Sequence, residues 1–293
     1  MTRTANQTVA QPTTALEREV PVDDHPAGLY SNSRVAQTVP DLAGIRDQEI
    51  GFFRDHGYLA VKRGFSPEAV QAAAAAVDDL IDGKRADFRG IQFEGGLGDK
   101  ANLTRQQRRI GVRKLMSFTD YDDRLKVLAT DPALLNTLER LLGASPALFQ
   151  EMALLKPPRI GREKPWHQDC AYFNIPHDTP VVGVWIALDQ ATAQNGALHV
   201  IPGSHHKGPA EHFKRRDWQI CDTEIDVASD VVVPLDPGGV LLWHGLTHHG
   251  SPPNGTEFGR RALQFHYRPH EVRETSVEQR MEIFGGDVRG AQC

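Results

Sequence analysis

The hydrophobic and polar positions divide the chain into two halves with different periods. From Asp41 apolar residues recur at helical spacing (Leu42, Ile45, Ile50, Phe52, Phe53) as far as Gly57, a residue suited to end a helix. Tyr58-Leu59-Ala60-Val61 then reads as a short strand. Ser66-Pro67-Glu68 combines an N-cap hydroxyl, a proline in the first turn and an early acid. A helix is predicted from there through the alanine block to Ile81, stopping before Gly83. Asp131-Pro132 opens another over Ala133–Leu142, closed by Gly143. Residues 84–112 are rich in glycine and arginine and show little regular pattern.

Beyond about residue 145 the period shortens. The runs Leu148–Leu155, Val181–Leu188, Ala197–Ile201, Val231–Leu235, Val240–Trp243 and Arg261–Tyr267 are rich in Val, Ile, Leu and aromatic residues. Pro, Gly and Asn separate them, which predicts strands. Asn195-Gly196 between two such runs is the sharpest hairpin signal. Helices first and many short strands later predict a mainly β fold with flanking helices, a sandwich or barrel backed on one side. Residues 1–38, polar and poor in apolar side chains, read as a flexible arm. Residues 39–293 read as a single domain, helical over about 39–145 and a sheet core over about 146–270.

Composition narrows the function classes. With 40% hydrophobic residues, 24% charged residues and a formal charge of −5, the chain has no electrostatic case for nucleic acid or an anionic membrane. Two basic runs, Arg105 to Lys114 and Lys214-Arg215-Arg216, read as solvated faces; the alternative is a pocket for an anionic substrate. Gly95-Gly96-Leu97-Gly98 lacks the strand and the Lys-Ser/Thr of a phosphate loop, which leaves a lid or substrate loop as its candidate role. Cys170, Cys221 and Cys293 are too few and scattered for a disulfide framework or a cysteine zinc site. Cys170 is expected to face away from its neighbours as a buried apolar residue. No apolar run reaches the roughly 18 to 20 residues of a membrane span, and no signal-peptide core is visible, so a cytoplasmic location is expected. The sequence carries no signal for an oligomeric state.

The chemistry centres on Trp166-His167-Gln168-Asp169. In extended backbone, side chains two apart point to one side, so His167 and Asp169 can supply two ligands to a divalent ion. A second cluster, Trp243-His244-Gly245-Leu246-Thr247-His248-His249-Gly250-Ser251, follows an apolar strand and precedes Arg260. Two histidines and one carboxylate on one face of iron(II) leave open positions for a co-substrate and dioxygen. An arginine at a strand start offers a planar fork for a carboxylate.

These motifs resemble the phytanoyl-CoA dioxygenase family of iron(II)/2-oxoglutarate oxygenases over about Asp41 to Pro269. The matching stretches are Lys156-Pro157-Pro158, the His167 motif, Trp185-Ile186-Ala187-Leu188-Asp189, Asn195-Gly196-Ala197-Leu198 and Val200 to His205. Last comes His249-Gly250-Ser251 with Asn254 and Arg260. The resemblance implies a double-stranded β-helix (jelly-roll, cupin-like) core. It implies that His167, Asp169 and His249 hold iron(II), with His249 preferred to His248 and His244 for the Ser, Asn and Arg that follow it. It places Arg260 on the distal carboxylate of 2-oxoglutarate with Ser251 in support, and Trp185, Met152, Gln150 and Lys114 around the co-substrate. Arg261 is expected on the opposite face. Asp169 itself implies hydroxylation or another oxidation, because related halogenases carry a small residue there.

The expected reaction joins dioxygen to a small-molecule substrate with decarboxylation of 2-oxoglutarate to succinate, a chemistry suited to specialised metabolism. Strand parity groups Arg260, Ala262, Gln264 and His266 on the cavity side, making Gln264 and His266 candidate substrate contacts. Tyr172, Phe173 and Asn174 are further candidates, as is the insertion from His205 to Cys221 with His206, Lys207, His212, Arg215, Arg216 and Trp218. Two other readings keep the jelly roll: a cupin-like metalloenzyme that does not use 2-oxoglutarate, and a non-catalytic metal-containing binding module.

Overall fold

The computed structural model describes residues 25–94 and 102–285. Strand β1 (Thr38–Asp41) leads into helix α1 (Asp47–His56), which ends at Gly57 in the left-handed region, φ 76°. Strand β2 (Tyr58–Arg63) and helix α2 (Pro67–Ile81) follow, the latter capped by the Ser66 side chain as the sequence predicts. The described residues of the stretch 84–112 are more regular than its composition suggests. It contains β3 (Ile91–Phe93) and α3 (Arg105–Gly111), whose Thr104 and Gln107 form a reciprocal capping box. Three further elements complete the first half: β4 (Val112–Met116), α4 (Asp123–Ala129) and α5 (Pro132–Leu142).

The second half is strand-rich: β5 (Pro146–Lys156), β6 (Lys164–His167), β7 (Val182–Ala187), β8 (Leu198–Val200), β9 (His212–Lys214) and β10 (Trp218–Ile220). After these come β11 (Val231–Val233), β12 (Val240–His244), β13 (His249–Ser251), β14 (Arg260–Pro269) and a closing helix α6 (Val277–Phe284).

The strands form an eight-stranded sheet in the order β1-β2-β12-β7-β14-β5-β4-β3 and a four-stranded sheet in the order β11-β8-β13-β6, with β9 and β10 as a separate hairpin. This is a double-stranded β-helix backed by helices. Alternation along the large sheet supplies two cores at once. Val184, Ile186, Leu263, Phe265 and Tyr267 point outward into a cluster with Val77, Leu80, Leu128 and Leu138 of the helices. Trp185, Ala187, Leu241, Trp243 and Ala262 point inward and meet Leu198 and Val200 of the small sheet.

Two expectations are corrected. Asn195-Gly196 does not close a hairpin between paired strands, because β7 and β8 belong to different sheets. The crossover there is a short 3-10 turn, Ala193–Asn195, capped by Thr192 and ended by Gly196 at φ 91°. A Cβ at Gly196 would come within 2.5 Å of the Lys156 side chain, so close approach as well as conformation demands glycine. The segment from residue 25 to β1 is not a loose arm either. Leu29 and Ala36 are buried, and Val35 pairs in parallel with Val232. The Tyr30 ring stacks on Trp166 with centroids 5.5 Å apart. Residues 1–24, and the glycine stretch 95–98 read as a candidate lid, lie outside the described residues.

Phe265 is fully buried between the large sheet and the helices, edge-on to Phe118 at 6.1 Å. Phe265→Ala is expected to cost about 3–5 kcal/mol of stability. Urea denaturation should show the midpoint falling at an unchanged slope.

Candidate active site

The small sheet brings the candidate metal-ligating side chains together by register. His249 of β13 lies directly opposite His167 of β6, and the two rings are 4.2 Å apart between centroids. Extended backbone continues through Gln168 (φ −111°, ψ 134°), which returns Asp169 to the same side before the chain turns into the 3-10 segment Asp169–Tyr172. The imidazole and carboxylate atoms of His167, Asp169 and His249 all fall within 4.8 Å of one another, and all three residues are buried. His167 Nε2 is 3.4 Å from Asp169 Oδ1, and His249 Nε2 is 3.5 Å from Oδ2.

The ring tautomers are set by the backbone. His167 Nδ1 donates to the Pro165 carbonyl at 2.8 Å and His249 Nδ1 to the Thr247 carbonyl at 2.9 Å. Each Nε2 lone pair is thereby turned toward the shared point. Burial, with the neighbouring His249 and Lys164, lowers the His167 pKa to about 3, and burial also lowers that of His249. Burial alone would raise Asp169, but the His266 and His249 imidazoles and the hydrogen bonds it accepts hold its carboxyl well below the usual range. Two neutral imidazoles and a carboxylate are the donor set that suits iron(II) with open positions, so the residues fit that ion.

The Asp169 carboxylate is positioned by two donors on one oxygen. Trp243 Nε1 and His266 Nε2 each lie 2.8 Å from Oδ2. Room for the Trp243 indole comes from Gly183 on the adjacent strand, where a Cβ would meet the ring at 2.3 Å. His266 does share the inward face of β14 with Gln264, but it contacts Asp169 and does not line the cavity. Its expected role as a substrate contact is therefore corrected to positioning the carboxylate.

The cavity beside the triad is walled by the inner face of the large sheet. Across β7, β14, β5 and β4 the register aligns Trp185, Gln264, Met152 and Met116 in one row. Gln150, Lys114 and Ser251 line the same cavity, as do Tyr172 and Phe173 just after the metal motif. Arg260 lines it too. The guanidinium is buried, donates from Nη1 to the Leu154 carbonyl at 3.1 Å, and stands 5.3 Å from the Trp185 ring. No carboxylate among the described residues pairs with it, and its buried Nε has no partner. Burial lowers its pKa to about 10.

Other candidates are placed elsewhere. Arg261 faces the helices and pairs with Asp189 and Asp78, both at 2.9 Å. His248 is buried outside the triad, its backbone N–H donating to Ser204 Oγ. Asn174 accepts from Arg280. None of the insertion candidates lines the cavity. His212 Nε2 accepts from the Gln168 backbone at 3.0 Å and braces the metal motif, and Arg216 is tied to Glu163 and Asp222. Sequence reasoning missed Trp243 as a partner of Asp169, and it missed Arg113, Arg162, Glu94 and Lys164 as cavity residues. The parity of β12 carries a signal for Trp243. Nothing local carries one for Glu94, which a neighbouring strand delivers.

This fold and donor set define a non-haem iron oxygenase of the double-stranded β-helix type. The model of the family described as "Phytanoyl-CoA dioxygenase (PhyH)" matches residues 53–262. The chain is 27% identical to "Phytanoyl-CoA dioxygenase domain-containing protein 1" of Danio rerio, over 78% of this chain and 91% of that protein. It is 27% identical to a "Probable alpha-ketoglutarate-dependent hypophosphite dioxygenase" of Stutzerimonas stutzeri, over 73% and 76%. Among solved structures, the "non-heme alpha ketoglutarate dependent carbocyclase SnoK from nogalamycin biosynthesis" superposes with a TM-score of 0.63 at 20% identity, covering 87% of this chain and 97% of that one. The chain belongs to the phytanoyl-CoA dioxygenase family, and it is an iron(II)- and 2-oxoglutarate-dependent dioxygenase acting on a small molecule. Among the described residues no helix is long and apolar enough to cross a membrane.

Burial also makes acid stability a property of the histidines. It lowers His212 to a pKa of about 3 and His244 and His248 to about 4. In the unfolded chain each titrates near 6.5. Below that pH the unfolded state binds protons that the folded state refuses, so stability is full above about 6.5 and is lost on acidification toward 4. Each histidine contributes a slope of about 1.4 kcal/mol per pH unit at most. Urea midpoints of the metal-free protein should fall steadily between pH 6.5 and 4; a flat profile would show these rings charged in the fold.

Proposed function

We propose that His167, Asp169 and His249 hold the iron and that Arg260 binds the distal carboxylate of 2-oxoglutarate, with the Ser251 hydroxyl in support. The observation that carries this reading is Arg260, a buried guanidinium with no carboxylate partner that opens on the same cavity as the triad. An uncompensated buried charge is costly, and a carboxylate delivered by a ligand removes that cost. Trp185 stands at the guanidinium face and fixes its plane, while Lys114, Gln150 and Met152 line the co-substrate's side. Bound iron(II) supplies dioxygen activation coupled to decarboxylation of 2-oxoglutarate to succinate and carbon dioxide.

The chain's own residues do the rest. Trp243 and His266 hold Oδ2 of Asp169, which directs Oδ1 toward the shared ligand point. Met116, Met152 and Phe173 make a dry wall for the substrate, with Tyr172 and Gln264 as polar contacts. Because the carboxylate ligand is present, the outcome we assign is hydroxylation or a related oxidation, not halogenation. The likeness to an enzyme of nogalamycin biosynthesis supports a substrate from specialised metabolism. The buried Cys170, which forms no disulfide, suits a reducing cytoplasm. A metalloenzyme that does not use 2-oxoglutarate would leave Arg260 without an anion.

Anaerobic addition of iron(II) and 2-oxoglutarate should produce a weak visible charge-transfer band. Asp169→Ala is expected to abolish it. Arg260→Ala should raise the 2-oxoglutarate Kd roughly 100-fold, the loss of about 2–3 kcal/mol from a buried charged contact. An Arg260→Ala protein that binds 2-oxoglutarate as the parent does would sink the assignment of that residue.

A further inference from the structure

The basic run that ends at Lys114 divides where helix α3 gives way to strand β4. On the helix, Arg105 and Arg109 are ion-paired with Asp82, and Arg109 also with Asp78 at 3.3 Å. On the strand, Arg113 and Lys114 line the cavity, where they meet Lys164 of β6. One acid serves two of them: Asp217 accepts from Lys164 Nζ at 2.8 Å and lies 3.9 Å from Arg113 Nη2, while Lys164 also donates to the Tyr172 hydroxyl at 2.9 Å. Lys114 has no hydrogen-bond or ion-pair partner among the described residues. Burial, reinforced by the like charges of Lys164 and Arg113, lowers its pKa to about 8. Glu94, the other acid in this wall, is committed to Arg162 at 2.9 Å.

Charge balance separates this cluster from the co-substrate site. A divalent ion with one carboxylate ligand, plus Arg260, offsets the two carboxylates of 2-oxoglutarate. Arg113 and Lys164 then remain against Asp217, two cations to one carboxylate, beside the apolar surface of Met116 and Phe173. Two partly buried cations that share one carboxylate keep an excess positive charge, which an anionic ligand offsets.

We propose that the substrate is a small organic acid whose carboxylate or phosphate is held by Arg113 and Lys164, while its carbon skeleton lies on Met116 and Phe173 beside the triad. The proposal rests on the oxygenase reading above and adds the substrate's chemical class.

Isothermal titration of the full chain, loaded with iron(II) and saturating 2-oxoglutarate and kept anaerobic, tests it with phenyl phosphate, benzoate and benzyl alcohol as probes. Saturating 2-oxoglutarate occupies Arg260, so the acids report the second site. At least one acid is expected to bind about tenfold more tightly than the alcohol. That advantage is expected to vanish in Arg113→Met and to persist in Arg113→Lys. Preference between the two acids identifies carboxylate or phosphate. Equal affinity for alcohol and acids, or an advantage that survives Arg113→Met, overturns the proposal. The comparison of probes on the unaltered chain decides the matter even where Arg113→Met does not fold. The charge-transfer band is recorded in the same samples. A normal band without acid preference removes this proposal alone, and absence of the band removes the oxygenase assignment together with it.

Discussion

A carboxylate removed from water has to be hydrogen-bonded on every open side or bound to a cation, and Asp169 meets this demand by joining three parts of the fold. Its backbone follows β6 of the small sheet, at the start of the 3-10 segment. Its Oδ2 accepts from Trp243 of β12 and His266 of β14, both in the large sheet. The two sheets of the jelly roll are thus tied at the metal site itself, by two donors with no solvent competing for them. Displacing either would leave a buried charge short of a partner, so packing of the sheets and orientation of the ligand are one requirement. Gly183 is part of the same arrangement, because the indole occupies the space its side chain would need.

Strand β14 shows how the fold keeps chemistry and stability apart while drawing both from the same residues in sequence. Its odd positions, Arg261 to Tyr267, hold the helical layer through apolar contact and the Arg261 ion pairs. Its even positions, Arg260 to His266, carry an unpaired cavity guanidinium, a cavity amide and the partner of Asp169. Arg260 shares the tolerance of buried charge that marks the whole cavity. The interior is rich in cations and short of acids, which makes it a poor place for the empty protein and a good one for anionic ligands.

Much of this was legible in the sequence because it depends on local rules. Helix caps at Ser66 and Asp131, the alternation of β14, and the His167–Asp169 spacing each follow from backbone geometry within a few residues. The ordered motifs around His249 and Arg260 pointed to the family. Where local signals competed, they misled. Asn195-Gly196 has turn chemistry, yet its flanking strands go to different sheets, so the turn serves a crossover. The first described residues looked like a loose arm because a single extended segment has no period of its own, and it is ordered by the surface that receives it.

The sequence by itself determined the capped helices at Ser66 and Asp131, the two faces of β14 and the spacing of the candidate ligands, since each is a matter of residue chemistry and short-range spacing. Tertiary structure alone decided which residues meet. Cross-strand register set His167 opposite His249 and aligned Trp185, Gln264, Met152 and Met116 across four strands. The change from α3 to β4 turned half of one basic run toward Asp82 and the other half into the cavity. Pairing between strands far apart in sequence is fixed by the summed burial of whole faces, and no local pattern encodes that sum.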